Sequence, residues 1–469
     1  MPRTTLRPCL LALAGALSGG CTTAVERSVA RDLDRIERTL APLPADGGGA
    51  SPGDGQRAGD TPTTADFDGT LPPYLAYAFA HNPRVRAAFE AYRAASYDPK
   101  VARRLPEPRL TIAGFVRAVE TRVGPQRARI GVAQMFPWPS RLVQAGKAAA
   151  LRARAEGRRF EAVALDVARV VTYAFVAVWR IDRLTEVERR RLAVFEALEA
   201  SVRARVEVGG ADVSDLARLA TRTLRSKDRI DALAAQRRAA VAELARALGL
   251  EGATDLPVTK APLPAGLPAE DPAALYADAA RHPRVEALAV RAEAERHEAK
   301  ARAGRRLPSF GLGVDWIITG PARMDPAPAD SGKDAVIAMG TVDIPLWQPS
   351  YGAEVKKARA VARMYEARRL SEVQAVRAAV DAALARLDDA ARRVDLYERT
   401  LVAQAKAALA STRAAYAART HPLADVLDAE EDLIELSRAA VEARADLARA
   451  YADLEALVGR PLPRKDPTR

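Results

Sequence analysis

His81-Asn82-Pro83-Arg84-Val85 returns 200 residues later as Arg281-His282-Pro283-Arg284-Val285, and this echo decides the fold. Four more echoes follow in the same order. Arg103-Arg104-Leu105-Pro106 is answered by Arg305-Arg306-Leu307-Pro308, and Phe136-Pro137-Trp138 by Ile344-Pro345-Leu346-Trp347. Ala211-Asp212-Val213-Ser214-Asp215 is answered by Ala424-Asp425-Val426-Leu427-Asp428, and each half closes on a glycine, Gly249 and Gly459. One such match is weak, but five in order mark a duplication.

Each half reads as the same series of elements. The periodicity predicts a helix over 71–104 and again over 271–306. Two alternating stretches follow in each half, 109–120 and 127–136, then 309–319 and 335–346. Leu110, Ile112 and Val116 fall on one face of the first, and Ile130 and Val132 on one face of the second, as strand periodicity requires. Gly124-Pro125 and the Pro/Asp-rich stretch Pro321–Asp334 make each pair a hairpin. A very long helix comes next, over 140–208 and 350–419. After Gly209-Gly210 or His421-Pro422 a further helix returns to the closing glycine.

The long helices carry coiled-coil spacing. Val163, Val167, Val170, Ala174, Val178, Ile181 and Leu184 are three or four apart, as are Val376, Val380, Leu384 and Leu387. Such a stripe demands a partner helix. At 1.5 Å per residue a helix of that length is a rod of roughly 100 Å. The two shorter helices of each half hold about as many residues as the long one, so stacked end to end they match it.

Composition agrees. A chain of 469 residues would ordinarily suggest about three domains. The duplication replaces that expectation with one elongated protomer. Hydrophobic residues make up 49% and aromatics only 5%, which favours Ala-rich packed helices and excludes a disordered chain. Two Cys exclude a disulfide scaffold or a four-Cys zinc site, and four His leave little for metal chemistry. The net charge of +12 comes from 72 basic and 60 acidic residues that are interleaved, as in Glu186-Val187-Glu188-Arg189-Arg190-Arg191. Interleaving reads as a solvated helical surface, so no nucleic-acid partner is expected. No nucleotide loop, metal-spaced cluster or nucleophile motif is present, so neither enzyme activity nor a cofactor is expected.

The first residues read as an address. Arg3 and Arg7 precede the short apolar run Cys9–Leu17, and Ser18-Gly19-Gly20 supplies small residues before Cys21. This is a signal peptide over 1–20. Its end resembles a bacterial lipoprotein signal, in which the Cys becomes the acylated N-terminus; the position usually held by Leu is Ser18 here. The other reading is an ordinary cleaved signal with Cys21 incidental. Pro42–Pro62, rich in Gly, Pro, Asp and Ser, makes 21–70 a flexible, lipidated tether. The expected organisation continues with a first repeat over 71–250, a linker over 251–270, a second repeat over 271–460 and a tail over 461–469.

The strands have the length of membrane-spanning β-strands. Four cannot close a barrel, and open edges are not tolerated in lipid, so copies must pool their strands; three copies would give twelve. Trp138 and Trp347 sit at strand-to-helix junctions, where either an interfacial girdle or junction packing would use them.

At this point residues 71–462 resemble the TolC-type outer-membrane efflux family, in its lipid-anchored branch. The resemblance rests on the duplicated order and on Tyr416 with His421-Pro422-Leu423-Ala424-Asp425-Val426-Leu427-Asp428-Ala429. It implies a mainly α fold with a small β part. Duplicated α-helical hairpins would form one third of a trimeric α-barrel, and four strands would join a shared 12-stranded transmembrane β-barrel. It also implies a homotrimer in outer-membrane lipid, a long periplasmic portion, and a periplasmic adaptor and inner-membrane pump as partners. Asp425 and Asp428 match the carboxylates that ring the periplasmic entrance of that family. Tyr416 and Asp212 match a contact that keeps the entrance closed, and His421 replaces a family Arg. Asp212 reads equally as a helix N-cap, and Asp425 and Asp428 as a solvated first turn. The runner-up is a periplasmic coiled-coil adaptor or structural lipoprotein without a pore, which explains the helices but not the duplicated strand hairpins.

Overall fold

The computed structural model describes residues 23–40, 62–209, 212–252, 256–258, 261–264 and 266–465. The expected signal peptide over 1–20 and Cys21 lie outside the described residues, as does most of Pro42–Pro62. The elements are α1 (Ala24–Glu37), α2 (Leu71–His81), α3 (Pro83–Ala102), β1 (Arg109–Val119), β2 (Gln126–Phe136), α4 (Pro139–Glu207) and α5 (Val213–Leu248). Then come α6 (Pro272–Ala279), α7 (Pro283–Ala303), β3 (Ser309–Thr319), β4 (Ala335–Asp343), α8 (Gln348–Val394), a π-helical stretch Asp395–Leu401, α9 (Val402–Ala417) and α10 (Leu423–Val458). The fold is mainly α with one small antiparallel sheet, as the periodicity implies.

The helix expected over 71–104 is two helices. Pro83 lacks an N–H and forces the residue before it out of helical backbone, so Asn82 sits at φ −67°, ψ 125°. His282-Pro283 divides 271–306 in the same way. The strand expected over 335–346 ends at Asp343, before Ile344-Pro345. The helix expected over 350–419 carries the π-helical stretch, whose Glu398 accepts from Arg444 Nε at 2.9 Å. Both closing glycines cap their helices in left-handed backbone, Gly249 at φ 85° and Gly459 at φ 84°.

The tether expected over 21–70 contains a helix, which corrects that reading. Thr23 Oγ1 accepts from Glu26 N–H at 3.3 Å and donates to the Glu26 carboxylate at 3.1 Å, an N-terminal capping arrangement. Val29 and Leu33 are buried, and Arg103 Nη1 donates to Glu26 at 3.1 Å.

Contacts divide the chain into two compact units, and the long helices contribute residues to both. Among the described residues one unit comprises 23–34, 91–157 and 287–369 and holds the whole sheet, whose strand order is β1-β2-β3-β4. The two hairpins join through β2 and β3, with Ile130 opposite Trp316 and Val132 opposite Val314.

The other unit comprises the described residues within 35–90, 158–286 and 370–465. Its main apolar core runs along α8 and α10, where Val376, Val380, Leu387 and Val394 meet Leu447, Tyr451, Leu454 and Val458. The α8 positions keep the three-and-four spacing of the sequence stripe. In α4 the buried face holds Val167, Val171, Phe175, Val178 and Ile181. This stretch of α4 is apolar enough to cross a membrane by composition, and half of it is buried within the chain, as a core helix would be.

Candidate functional site

Two places carry chemistry, one in each unit. The first is the sheet. Across its registered rows one face gathers Ile112, Ile130, Trp316 and Val336, then Leu110, Val132, Val314 and Ala338. Gln134, Leu312 and Gly340 share a further row, followed by Phe136, Phe310 and Val342. This face is apolar apart from Gln134, yet it is exposed: Ile112 is 73% accessible, Leu312 66% and Val336 69%. Water does not tolerate a patch of that kind on a free-standing protein.

The opposite face is the more polar one: Arg109, Thr111, Arg129, Asp315 and Thr341 stand there among small residues and the apolar Ile317, Ile337 and Met339. Thr111, Gly131, Asp315 and Ile337 make one row, and Arg129 of the next row pairs with Asp315. Asp315 is 2% exposed, and a Cβ on Gly131 would strike its carboxylate, so glycine is what leaves it room. Asp315 is the one charged residue in the apolar run Phe310–Thr319, which marks the position in the sequence but not its partner. The outer edges of the sheet are β1 and β4, each hydrogen-bonded to a neighbour on one side only. Trp138, at the start of α4, lies 6.2 Å from the Phe310 ring, and Trp347, before α8, is 75% exposed.

The second place is the pair of interhelix tips. Asp212 is the N-cap of α5 and accepts from Ser214 N–H at 2.9 Å, a bond that holds its carboxyl below the usual range. Tyr416, near the end of α9, packs on the cluster of Phe195, Val202, Leu219, Leu423 and Leu427, with the Arg205 guanidinium 5.2 Å above its ring. No hydrogen bond joins Tyr416 to Asp212 among the described residues. Asp425 is half-buried in the first turn of α10; Asp428 is exposed, 3.9 Å from Arg222. His421 is exposed and lies 3.4 Å from the Thr420 hydroxyl.

Charged partners that sequence reasoning missed surround these residues. Arg222 reaches Glu431 at 3.4 Å and donates to the Leu427 carbonyl at 3.3 Å, tying α5 to the first turns of α10. Arg191 of α4 binds the same Glu431 at 2.5 Å. Buried Glu188 pairs with Arg438, and buried Glu430 pairs with Arg413. Burial pushes the Glu430 carboxyl up, and Arg413 opposes that shift. Among the described residues no group of three or more His, Cys, Asp or Glu is placed to hold a metal ion.

Comparison with known proteins gives this geometry a context. Residues 275–460 match the outer membrane efflux protein family. No curated protein sequence is a significant match. Among solved structures, a membrane protein from Pseudomonas aeruginosa is 18% identical, with a TM-score of 0.69 over 84% of this chain and 95% of that one. The outer membrane protein VceC from Vibrio cholerae is 17% identical, with a TM-score of 0.66 over 83% and 96%. The open state of the Neisseria gonorrhoeae MtrE outer membrane channel is 18% identical, with a TM-score of 0.66 over 84% and 90%. At these identities the likeness is one of fold. The second half thus matches the outer membrane efflux protein family, the first half repeats the same elements, and the fold of the chain is that of these outer-membrane channels.

Proposed function

We propose that the chain is the outer-membrane exit channel of a tripartite efflux system. It passes substrate from an inner-membrane pump and a periplasmic adaptor to the exterior, and itself catalyses nothing. The observation that carries this reading is the sheet: an exposed apolar face backed by a more polar one that holds Arg129 and Asp315, with both edges open. In lipid the apolar face is solvated and the polar face lines water, but open edges must be closed. Four strands alternate in direction, so β4 of one copy runs antiparallel to β1 of the next. Head-to-tail pairing can therefore continue round a ring. Three copies close it at twelve strands, and Trp138 and Trp347 stand where an interfacial aromatic belt is useful.

Two further features belong to this reading. Cys21 carries the lipid that anchors each copy in the outer membrane. Asp425 and Asp428, repeated three times, form a cation-attracting ring at the periplasmic entrance, with Tyr416 and Asp212 in the contacts that hold it shut.

Fractionation and electrophoresis test the channel. The protein should sediment with outer membranes, migrate as a trimer until heated, and give discrete conductance steps in planar bilayers. A soluble monomer without conductance refutes the reading. Cys21→Ala should abolish labelled palmitate incorporation; retained label overturns the anchor.

A further inference from the structure

The tip region holds a groove that the gate residues do not account for. It is a cavity of about 670 Å³ between the C-terminal part of α4 and the end of α9. Its lining includes the aliphatic Ala197 and Leu198, three arginines, Arg205, Arg413 and Arg419, and Tyr416. Among the described residues no carboxylate lines it. The volume lies within the range of small-molecule sites.

The backbone places these cations deliberately. Arg419 stands in left-handed backbone at φ 62°, with its N–H on the Tyr416 carbonyl at 3.0 Å and Thr420 N–H on the Ala415 carbonyl at 3.0 Å. Arg413 is fixed by its pair with buried Glu430, and Arg205 by its stack on Tyr416. A lining that combines aliphatic side chains, three arginines and one tyrosine is complementary to a flat apolar body bearing a carboxylate or sulfonate. Guanidinium binds such groups through paired, charge-assisted hydrogen bonds, and a flat ring can stack on it.

We propose that this groove binds small amphipathic anions of the aromatic-carboxylate class and that their binding biases the periplasmic gate. The coupling route is Tyr416, which touches the groove on one side. On the other it packs with Leu423 and Leu427, which seat the turn of α10 bearing Asp425 and Asp428. This inference rests on the exit-channel reading for its effect on the gate, but not for binding.

The test uses the full-length protein in lipid nanodiscs, with 2-naphthoate as probe and neutral naphthalene-2-carboxamide as its isostere. Titration calorimetry should show naphthoate binding, with the amide and the Arg205→Gln/Arg419→Gln variant each at least about tenfold weaker. In bilayers, naphthoate should change the open probability of the wild type and leave the variant unaffected. Equal binding of acid and amide, or of wild type and variant, overturns the site. So does absence of binding to the assembled protein, the result expected if a neighbouring copy or a partner helix fills the groove. Binding with unaltered gating overturns the coupling. A protein that gives no conductance under any condition refutes the exit-channel reading instead, and the calorimetry still decides the site.

Discussion

Asn82 and His282 perform one structural task in the two halves of the chain. Asn82 Nδ2 donates to the Ala247 carbonyl at 2.7 Å, while its Oδ1 accepts from Arg84 N–H at 2.8 Å. His282 Nε2 donates to the Ala456 carbonyl at 3.1 Å, while its Nδ1 accepts from Arg284 N–H at 3.2 Å. Each side chain thus caps the helix that follows it and ties that cap to the end of its half's closing helix. The difference is that only the histidine can titrate.

His282 is neutral in this arrangement, because a protonated Nδ1 could not accept. Burial is the main cause that lowers its pKa below the ordinary 6.5, with Arg284 lowering it further; the bond to Ala456, Glu372 and Asp166 oppose that shift. The unfolded chain therefore takes up the proton first as pH falls. Stability from this group is complete above about 6.5 and is lost as the solution becomes more acidic than that. His282→Asn should leave the melting temperature at pH 8 nearly unchanged and flatten its decline between about pH 6.5 and 5. Thermal unfolding of wild type and variant across that range checks this. Parallel declines would show that His282 is not the acid-labile cap.

The exposed face of the sheet makes a second prediction. Leu312 lies mid-strand in β3 on the apolar face, and Thr111 lies in β1 on the polar one. Arginine on a lipid-facing strand position costs about 2–4 kcal/mol near the bilayer centre, whereas a position lining water tolerates it. Leu312→Arg should therefore deplete the heat-modifiable oligomer in outer membranes, and Thr111→Arg should leave it assembled. Equal yields of the two variants would show that the faces have been assigned the wrong way round.

What could be read in the sequence, and what could not, follows from the range of the interactions. Strand positions such as Ile112 and Val132 were legible because alternation is local, and the α8 stripe from Val376 to Leu387 because helical spacing is local. The break at Asn82-Pro83 was equally local, and the Pro rule alone would have placed it. The α1 helix announced itself in Thr23-Ala24-Val25-Glu26 but was masked by the Gly/Pro-rich stretch that follows. Arg129–Asp315 and Arg191–Glu431 could not be read, since each joins residues 186 and 240 positions apart through a register that only packing sets. The π-helical stretch at Asp395–Leu401 is of the same kind, because its partner Arg444 sits on α10.

The tips of the two halves differ in one residue's backbone, and stability should respond. Gly209 takes φ 72° after α4, while the second tip places Arg419 at φ 62° after α9. A side chain in left-handed backbone costs energy that glycine does not. Arg419→Gly should stabilise the folded protein by about 0.5–1 kcal/mol, read as a raised melting temperature, while removing one cation from the groove. A lowered melting temperature would mean that the Arg419 side chain holds the tip more strongly than its backbone strains it.

The carboxylates at the second tip give the last prediction. Asp425 and Asp428 are three residues apart, hence neighbours on one helical face, and Arg222 stands 3.9 Å from Asp428. If three copies of this pair ring an entrance, the ring attracts cations and Arg222 partly neutralises it. Asp425→Ala with Asp428→Ala should then raise the concentration of a multivalent cation needed for half block by about tenfold or more. Arg222→Gln should lower that concentration, since it removes a positive charge while leaving both carboxylates in place. Single-channel recordings with the cation on the periplasmic side measure both. Opposite shifts from the two variants are the signature of an acidic ring tuned by a neighbouring arginine. A tip that is merely a solvated helix start would show no shift from either, because an exposed charge remote from the conduction path is screened within about 10 Å at ordinary ionic strength.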